Sequence, residues 1–197
     1  MAEAQIKGMH VAILATDGFE QTELTEPKKA LEAAGAITTI LAPHGGDIQG
    51  MRHADKGEKI SVGQTLDDAD PGRFDAALLP GGALNADALR VVKKAQEFIK
   101  RMDEQQKPVA VICHGPWLLV SSGLVQGRRL TSYHTIQDDI RNAGGAWEDR
   151  EVIRDRNWVS SRKPQDIPAF NRAMIELFAE HQKARRIARR RPARQWD

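Results

Sequence analysis

The chain predicts an α/β domain built on a mostly parallel sheet. Three observations predict it. Short apolar runs recur between amphipathic stretches, glycine- or proline-bearing turns follow those runs directly, and the connections are short enough to require right-handed crossovers.

Residues 9–15 (MHVAILA) read as a buried strand ended by Thr16-Asp17-Gly18. Thr25-Glu26-Pro27 then opens a helix, since threonine caps and proline is tolerated in a first turn. Leu31 and Ala34 continue its apolar stripe, Gly35 stops it, and residues 37–42 form the next strand. Residues 43–65 (with HGGDIQG and EKISVG) read as a hairpin at the sheet edge. Residues 75–79 (DAALL) are a buried strand running into Pro80-Gly81-Gly82. A helix over about 86–106 follows, with Leu89, Val92, Ala95, Ile99 and Met102 on one face.

Residues 108–112 (PVAVI) lead straight into Cys113-His114-Gly115-Pro116, and 117–122 is a short helix. Further on, 129–132 reads as a strand and 136–142 as a helix. Residues 151–154 and 158–160 flank a hairpin turn, and 167–187 is a long amphipathic helix facing Phe170, Met174, Leu177 and Phe178 to the core.

Bulk properties narrow the class. At 197 residues, one domain over 1–182 with a basic tail over 183–197 is expected. The tail holds seven basic residues and one acid, so a formal charge of +2 leaves the preceding body with four more acids than bases. Arginines there suit the negative end of a helix, and no stacking aromatics are interleaved with them, so nucleic acid is not the expected partner. A single cysteine excludes an internal disulfide, and no apolar run reaches membrane-spanning length, so a cytoplasmic protein is expected. The six histidines lack metal-ligand spacing, so neither metal nor cofactor is expected.

In such folds ligands bind beyond the carboxyl ends of the strands. Three segments end there with reactive chemistry: Gly18-Phe19-Glu20, Pro80-Gly81-Gly82 and Cys113-His114-Gly115. A strand running into Cys113, with a helix start within three residues, forces a sharp turn that presents the sulfur, although the G-x-S-x-G pattern is absent. The helix start predicts a lowered thiol pKa. His114 is the adjacent general base or acid, the Gly81-Gly82 backbone can turn N–H groups inward towards an oxyanion or simply make a tight turn, and Glu20 is a carboxyl able to share a proton with the thiol.

The segments HVAILATDGFEQTEL, FDAALLPGG, KPVAVICHGPWLL, GRRLTSY, IQDDIRNAGGAW and NWVSSRKPQD together resemble the PfpI family of intracellular cysteine proteases and stress-linked deglycases, over roughly residues 8–180. The resemblance implies a class I glutamine amidotransferase-like, flavodoxin-like sandwich. It implies Cys113 as nucleophile, His114 as its partner, Glu20 as the carboxylate on the sulfur, and an oxyanion hole from Gly82 and the His114 backbone. It further implies a homodimer or hexamer.

One departure matters. Family proteases donate a glutamate across a subunit interface to the histidine, shortly after the Pro-Gly-Gly turn. This chain has Ala86 there, with Asp87 beside it as the candidate substitute. Tyr133 and His134 are expected in the pocket wall. The departure favours carbonyl chemistry on glyoxal-type adducts over peptide hydrolysis. A redox-sensing or chaperone-like role for the same thiol, oxidised to a sulfinate, is the non-enzymatic alternative.

Overall fold

The apolar runs at 9–15, 75–79 and 108–112 become neighbouring parallel strands in a computed structural model that describes residues 5–190. In chain order the first elements are β1 (His10–Leu14), β2 (Phe19–Glu20), α1 (Gln21–Ala33), β3 (Ile37–Ala42), β4 (Asp47–Arg52), β5 (Asp55–Ser61) and β6 (Gln64–Thr65). Then come β7 (Ala76–Leu79), α2 (Ala83–Arg90), α3 (Lys93–Glu104), β8 (Val109–Ile112), α4 (Pro116–Ser121) and β9 (Arg129–Leu130). The chain continues through α5 (Gln137–Asn142), β10 (Ala146–Trp147), β11 (Val152–Asp155), β12 (Trp158–Ser161) and α6 (Ile167–Arg190).

The main sheet has seven strands in the order β11-β12-β8-β7-β1-β3-β6, parallel except for β11, which pairs antiparallel with β12. Its central strands are buried on both faces, as their unbroken apolar sequences require. Val11, Ile13, Leu78 and Ile112 point to the face covered by α1 and α6. Ala12, Leu14, Leu79 and Val111 point to the face covered by α3, α4 and α5. This is the expected three-layer sandwich. Each Leu, Ile or Phe fully buried in it contributes about 1.5–3 kcal/mol. Among the described residues no helix is long and apolar enough to cross a membrane.

The hairpin expected within 43–65 is β4–β5, and it leaves the main sheet to pair in parallel with β2 through Phe19–Gly50 and Glu20–Met51. That pairing fixes the chain before α1, so α1 starts at Gln21 rather than at Thr25. Pro27 then falls inside the helix, where it offers no N–H to the Glu23 carbonyl.

The single helix expected over 86–106 is two. Val91 ends α2, and Val92 is extended (φ −76°, ψ 108°) before α3. The Gln96 side chain donates to the Arg90 carbonyl at 2.7 Å and closes the end of α2. The break lets α3 lay Ala95, Ile99 and Met102 on the sheet while α2 stays over the strand ends.

The first residues past the boundary expected at 182 are helical. Helix α6 runs unbroken to Arg190, and Arg185 pairs with Asp75 at the opposite end of the sheet from Cys113. Positions 191–197 of the expected tail lie outside the described residues.

Candidate active site

Sheet order brings the three reactive turns together. Strands β8, β7 and β1 lie side by side, so the turns after Ile112, Leu79 and Leu14 share one end of the sheet. Cys113 takes a left-handed conformation (φ 63°), which costs a residue with a Cβ about 1–3 kcal/mol and persists only where its surroundings over-determine it. They do so here. The Cys113 N–H donates to Ser161 O at 3.1 Å, its carbonyl accepts from Tyr133 N–H at 2.9 Å, and Gly115 N–H donates to Ile112 O at 2.9 Å. The sharp turn read from the sequence is present, and Cys113 is buried (6% exposed).

The carboxyl against the sulfur is Glu23, not Glu20. Glu23 sits in the first turn of α1, fully buried, and its oxygens face the Cys113 thiol and the Gly81 N–H without reaching full hydrogen-bond geometry. Glu20 is held in β2, where its carboxylate accepts from the His53 N–H at 3.1 Å and lies 3.9 Å from His53 Nδ1. The correction follows from the earlier helix start. Once α1 begins at Gln21, residues 23, 24, 27 and 31 share the inward face, and Glu23 is the acid among them. A glutamate within the stripe formed with Leu24 and Leu31 was the sequence signal that could have found it.

Gly81 makes the contact between acid and thiol. A Cβ there would overlap Glu23 Oε2 and stand 2.5 Å from Cys113 Cβ and 3.1 Å from Sγ. Gly82 (φ 91°) would place a Cβ 2.5 Å from the Glu20 nitrogen. The turn is held from behind by Asn85, which sequence reasoning missed. Its buried amide accepts from Thr16 N–H at 2.7 Å and donates to the Pro80 and Gly81 carbonyls at 3.3 and 3.0 Å. The backbone N–H groups of Gly82 and His114, the two expected oxyanion donors, lie near enough to the sulfur to favour its charged form.

His114 reaches the thiol with Nδ1 at 3.2 Å, while Nε2 lies 3.2 Å from Thr135 Oγ1. Tyr133 stacks on the imidazole (5.0 Å, 28°), and Trp117 meets it edge-on at 5.4 Å. Tyr133 lines the cavity as expected. His134 does not: it is exposed and packs behind Tyr133 at 4.6 Å. Ala86 is buried and Asp87 points outward from α2, forming no side-chain hydrogen bond or ion pair among the described residues. The structure therefore does not bring Asp87 to His114 within the chain.

Electrostatics correct the expectation of a lowered thiol pKa. Burial pushes the Cys113 thiol up, and a charged Glu23 pushes it further, against the pull of the two backbone N–H groups. Helix α4 is only six residues long, too short to reverse that. Burial also raises the Glu23 carboxyl from 4.5 to about 8, with the Glu20 charge adding to it. At neutral pH Glu23 is thus a protonated donor facing sulfur. Burial, then proximity to His134, holds His114 below its ordinary 6.5, which leaves it neutral and able to accept a proton.

The cavity above these groups is about 510 Å³. Its far wall is built by Met51 and His53 from β4 and the following turn, Leu84 from α2, and Lys163, Pro164 and Gln165 before α6. None of these was named from the sequence, because long-range folding brings them in. Chemically, the arrangement can add sulfur to an electrophilic carbon, hold the resulting oxygen anion and pass one proton to imidazole.

Comparison with known proteins agrees with the fold and locates the chain among relatives. The family model described as "DJ-1/PfpI family" matches residues 9–177. A Thermococcus kodakarensis protein named "Deglycase TK1284" is 43% identical over 170 residues, covering 86% of this chain and 99% of the relative. A Bacillus subtilis protein named "Putative cysteine protease YraA" is 41% identical over 169 residues, covering 85% of this chain and 97% of that one. Among solved structures, a two-domain protein from Anabaena variabilis with DJ-1/ThiJ/PfpI-like and ferritin-like domains superposes with a TM-score of 0.81 at 31% identity, over 85% of this chain and 47% of its own.

Proposed function

Because the chain belongs to the DJ-1/PfpI family, we propose that it is a cysteine-dependent hydrolase acting on glyoxal-type carbonyl adducts, with Cys113 as nucleophile. The observation that carries this reading is the convergence of Cys113 Sγ, His114 Nδ1 at 3.2 Å and the buried Glu23 carboxyl at the floor of one cavity. The names of the similar proteins, deglycase for one and putative cysteine protease for another, support an enzymatic role at the family level.

With methylglyoxal, Sγ bonds to the aldehyde carbon while the thiol proton passes to His114. The carbonyl electron pair moves onto oxygen, and the Gly82 and His114 N–H groups are the donors proposed to receive it. Moving the hydrogen with its electron pair from the aldehyde carbon to its neighbour oxidises the first carbon and reduces the second, and the oxygen on the second carbon takes the proton back from His114, giving a lactyl thioester without an external oxidant. Water then releases lactate and restores the thiol. The protonated Glu23 faces sulfur throughout and stabilises whatever negative charge gathers there.

The direct test is steady-state lactate release from methylglyoxal by the wild type and by Cys113→Ala. Release by the wild type alone is expected. No release above the alanine variant would sink the reading. Peptide hydrolysis has less support within this chain, since Asp87 does not approach the histidine it would have to orient.

A further inference from the structure

We propose that Thr135 is the positioning residue of His114, completing the proton relay from within the same subunit. The inference rests on the reading of His114 as the base of the proposed reaction. A base that takes the Cys113 proton must present the lone pair of Nδ1 to sulfur, 3.2 Å away. The hydrogen of the neutral ring then sits on Nε2, and it requires an acceptor that also favours the imidazolium formed next. Thr135 Oγ1, 3.2 Å from Nε2, is that acceptor.

The position of Thr135 is built into the fold. It occupies the middle of a single 3-10 turn, His134–Ile136, tied at both ends. Tyr133 N–H donates to the Cys113 carbonyl at 2.9 Å, which binds the turn to the cysteine elbow. Ser132 Oγ donates to the Tyr133 carbonyl at 2.8 Å, and Ile136 is buried in the core. The threonine thus moves with the elbow that carries the nucleophile. Tyr133, stacked on the imidazole at 5.0 Å, keeps the ring from rotating away.

The charged and titratable groups around the ring are few. Among the described residues, Cys113 faces it from the thiol side with Glu23 against the sulfur, and His134 lies beyond Tyr133. Arg90 stands over Trp117 at 5.0 Å, on the ring's edge side. None of these accepts from Nε2. Position 86, where a carboxylate from another subunit would originate, is a buried alanine. A neutral hydroxyl in the carboxylate's place orients the ring without adding charge, which suits a base meant to stay unprotonated at rest.

The test compares wild type with Thr135→Val, which keeps shape and removes the acceptor, and Thr135→Ser, which restores it. The His114 titration midpoint is read by NMR, and methylglyoxal turnover is measured alongside. For the valine variant the midpoint is expected to fall by about half to one pH unit and kcat by about three- to tenfold, the equivalent of one neutral hydrogen bond, with KM within about twofold. The serine variant is expected to match wild type. A midpoint unmoved in the valine variant, or a serine variant as impaired as valine, overturns the assignment. The midpoint needs no substrate, so a failed assay with methylglyoxal would strike the proposed function and leave this inference standing.

Discussion

Glu23 and Cys113 face each other across Gly81, with no side chain between them. A carboxyl that holds its proton to about pH 8 therefore meets a buried thiol at the end of β8. The properties of the site follow from that protonated carboxyl.

The pair makes stability depend on pH. Folded Glu23 releases its proton at about 8, and an unfolded glutamate near 4.5. Between those values the native state holds the extra proton, so the Glu23 contribution to stability is fully present below about 4.5 and is lost as pH rises through the window. Glu23→Gln removes the effect. Its unfolding free energy relative to wild type is expected to rise between pH 5 and pH 8.5 by an amount on the order of a few kcal/mol, measured by urea denaturation.

Gly81→Ala is expected to separate the acid from the thiol. The added methyl overlaps Glu23 Oε2 and stands 2.5 Å from Cys113 Cβ, an overpacking that costs about 1–3 kcal/mol. Methylglyoxal turnover should fall by about a hundredfold, given the geometric demands of the attack. Gly45→Ala, at a site with nothing within 4 Å, should leave both stability and turnover within error.

Asn85 is expected to matter as much as the residues above it. Asn85→Ala leaves the Thr16 N–H and two turn carbonyls unpaired, at about 2–4 kcal/mol by chemical denaturation. Asn85→Asp keeps the acceptor for Thr16 but sets a carboxyl against those carbonyls. Its stability should drop further as pH rises and the group ionises.

Away from the site, Arg128 ties the chain before β9 to the β11–β12 turn. It donates to the Asp155 carboxylate at 2.8 Å and to Asn157 Oδ1 at 3.0 Å, and it stacks 3.7 Å over Trp158. Arg128→Lys loses the planar fork and the stack, and should cost about 2–4 kcal/mol in thermal or urea unfolding without changing KM.

Much of this was legible in the chain. The doubly buried strands announced themselves as unbroken apolar runs, and Cys113 announced itself by following one of them at a turn. Gly82 and His114 were legible for the same reason, as turn residues after neighbouring strands. Glu23 was not, because the start of α1 is fixed by β2 pairing with Gly50 and Met51, a contact between distant residues that no local capping signal reveals. The thiol's pKa was misread because burial outweighs a helix of six residues, and burial is a property of the fold. His134 looked like Tyr133's equal in sequence, yet the 3-10 turn sends it outward and offers Thr135 to the imidazole instead.

The most direct measurement of the central claim is the pH dependence of Cys113 alkylation by iodoacetamide in wild type, Glu23→Gln and Glu20→Gln. Glu23 shares its environment with the sulfur, so the wild-type profile should show an inflection near its pKa of about 8. Glu23→Gln should abolish that inflection, and Glu20→Gln, which alters only a neighbouring charge, should keep it. An inflection that survives in Glu23→Gln, or one lost in Glu20→Gln alone, would contradict the account.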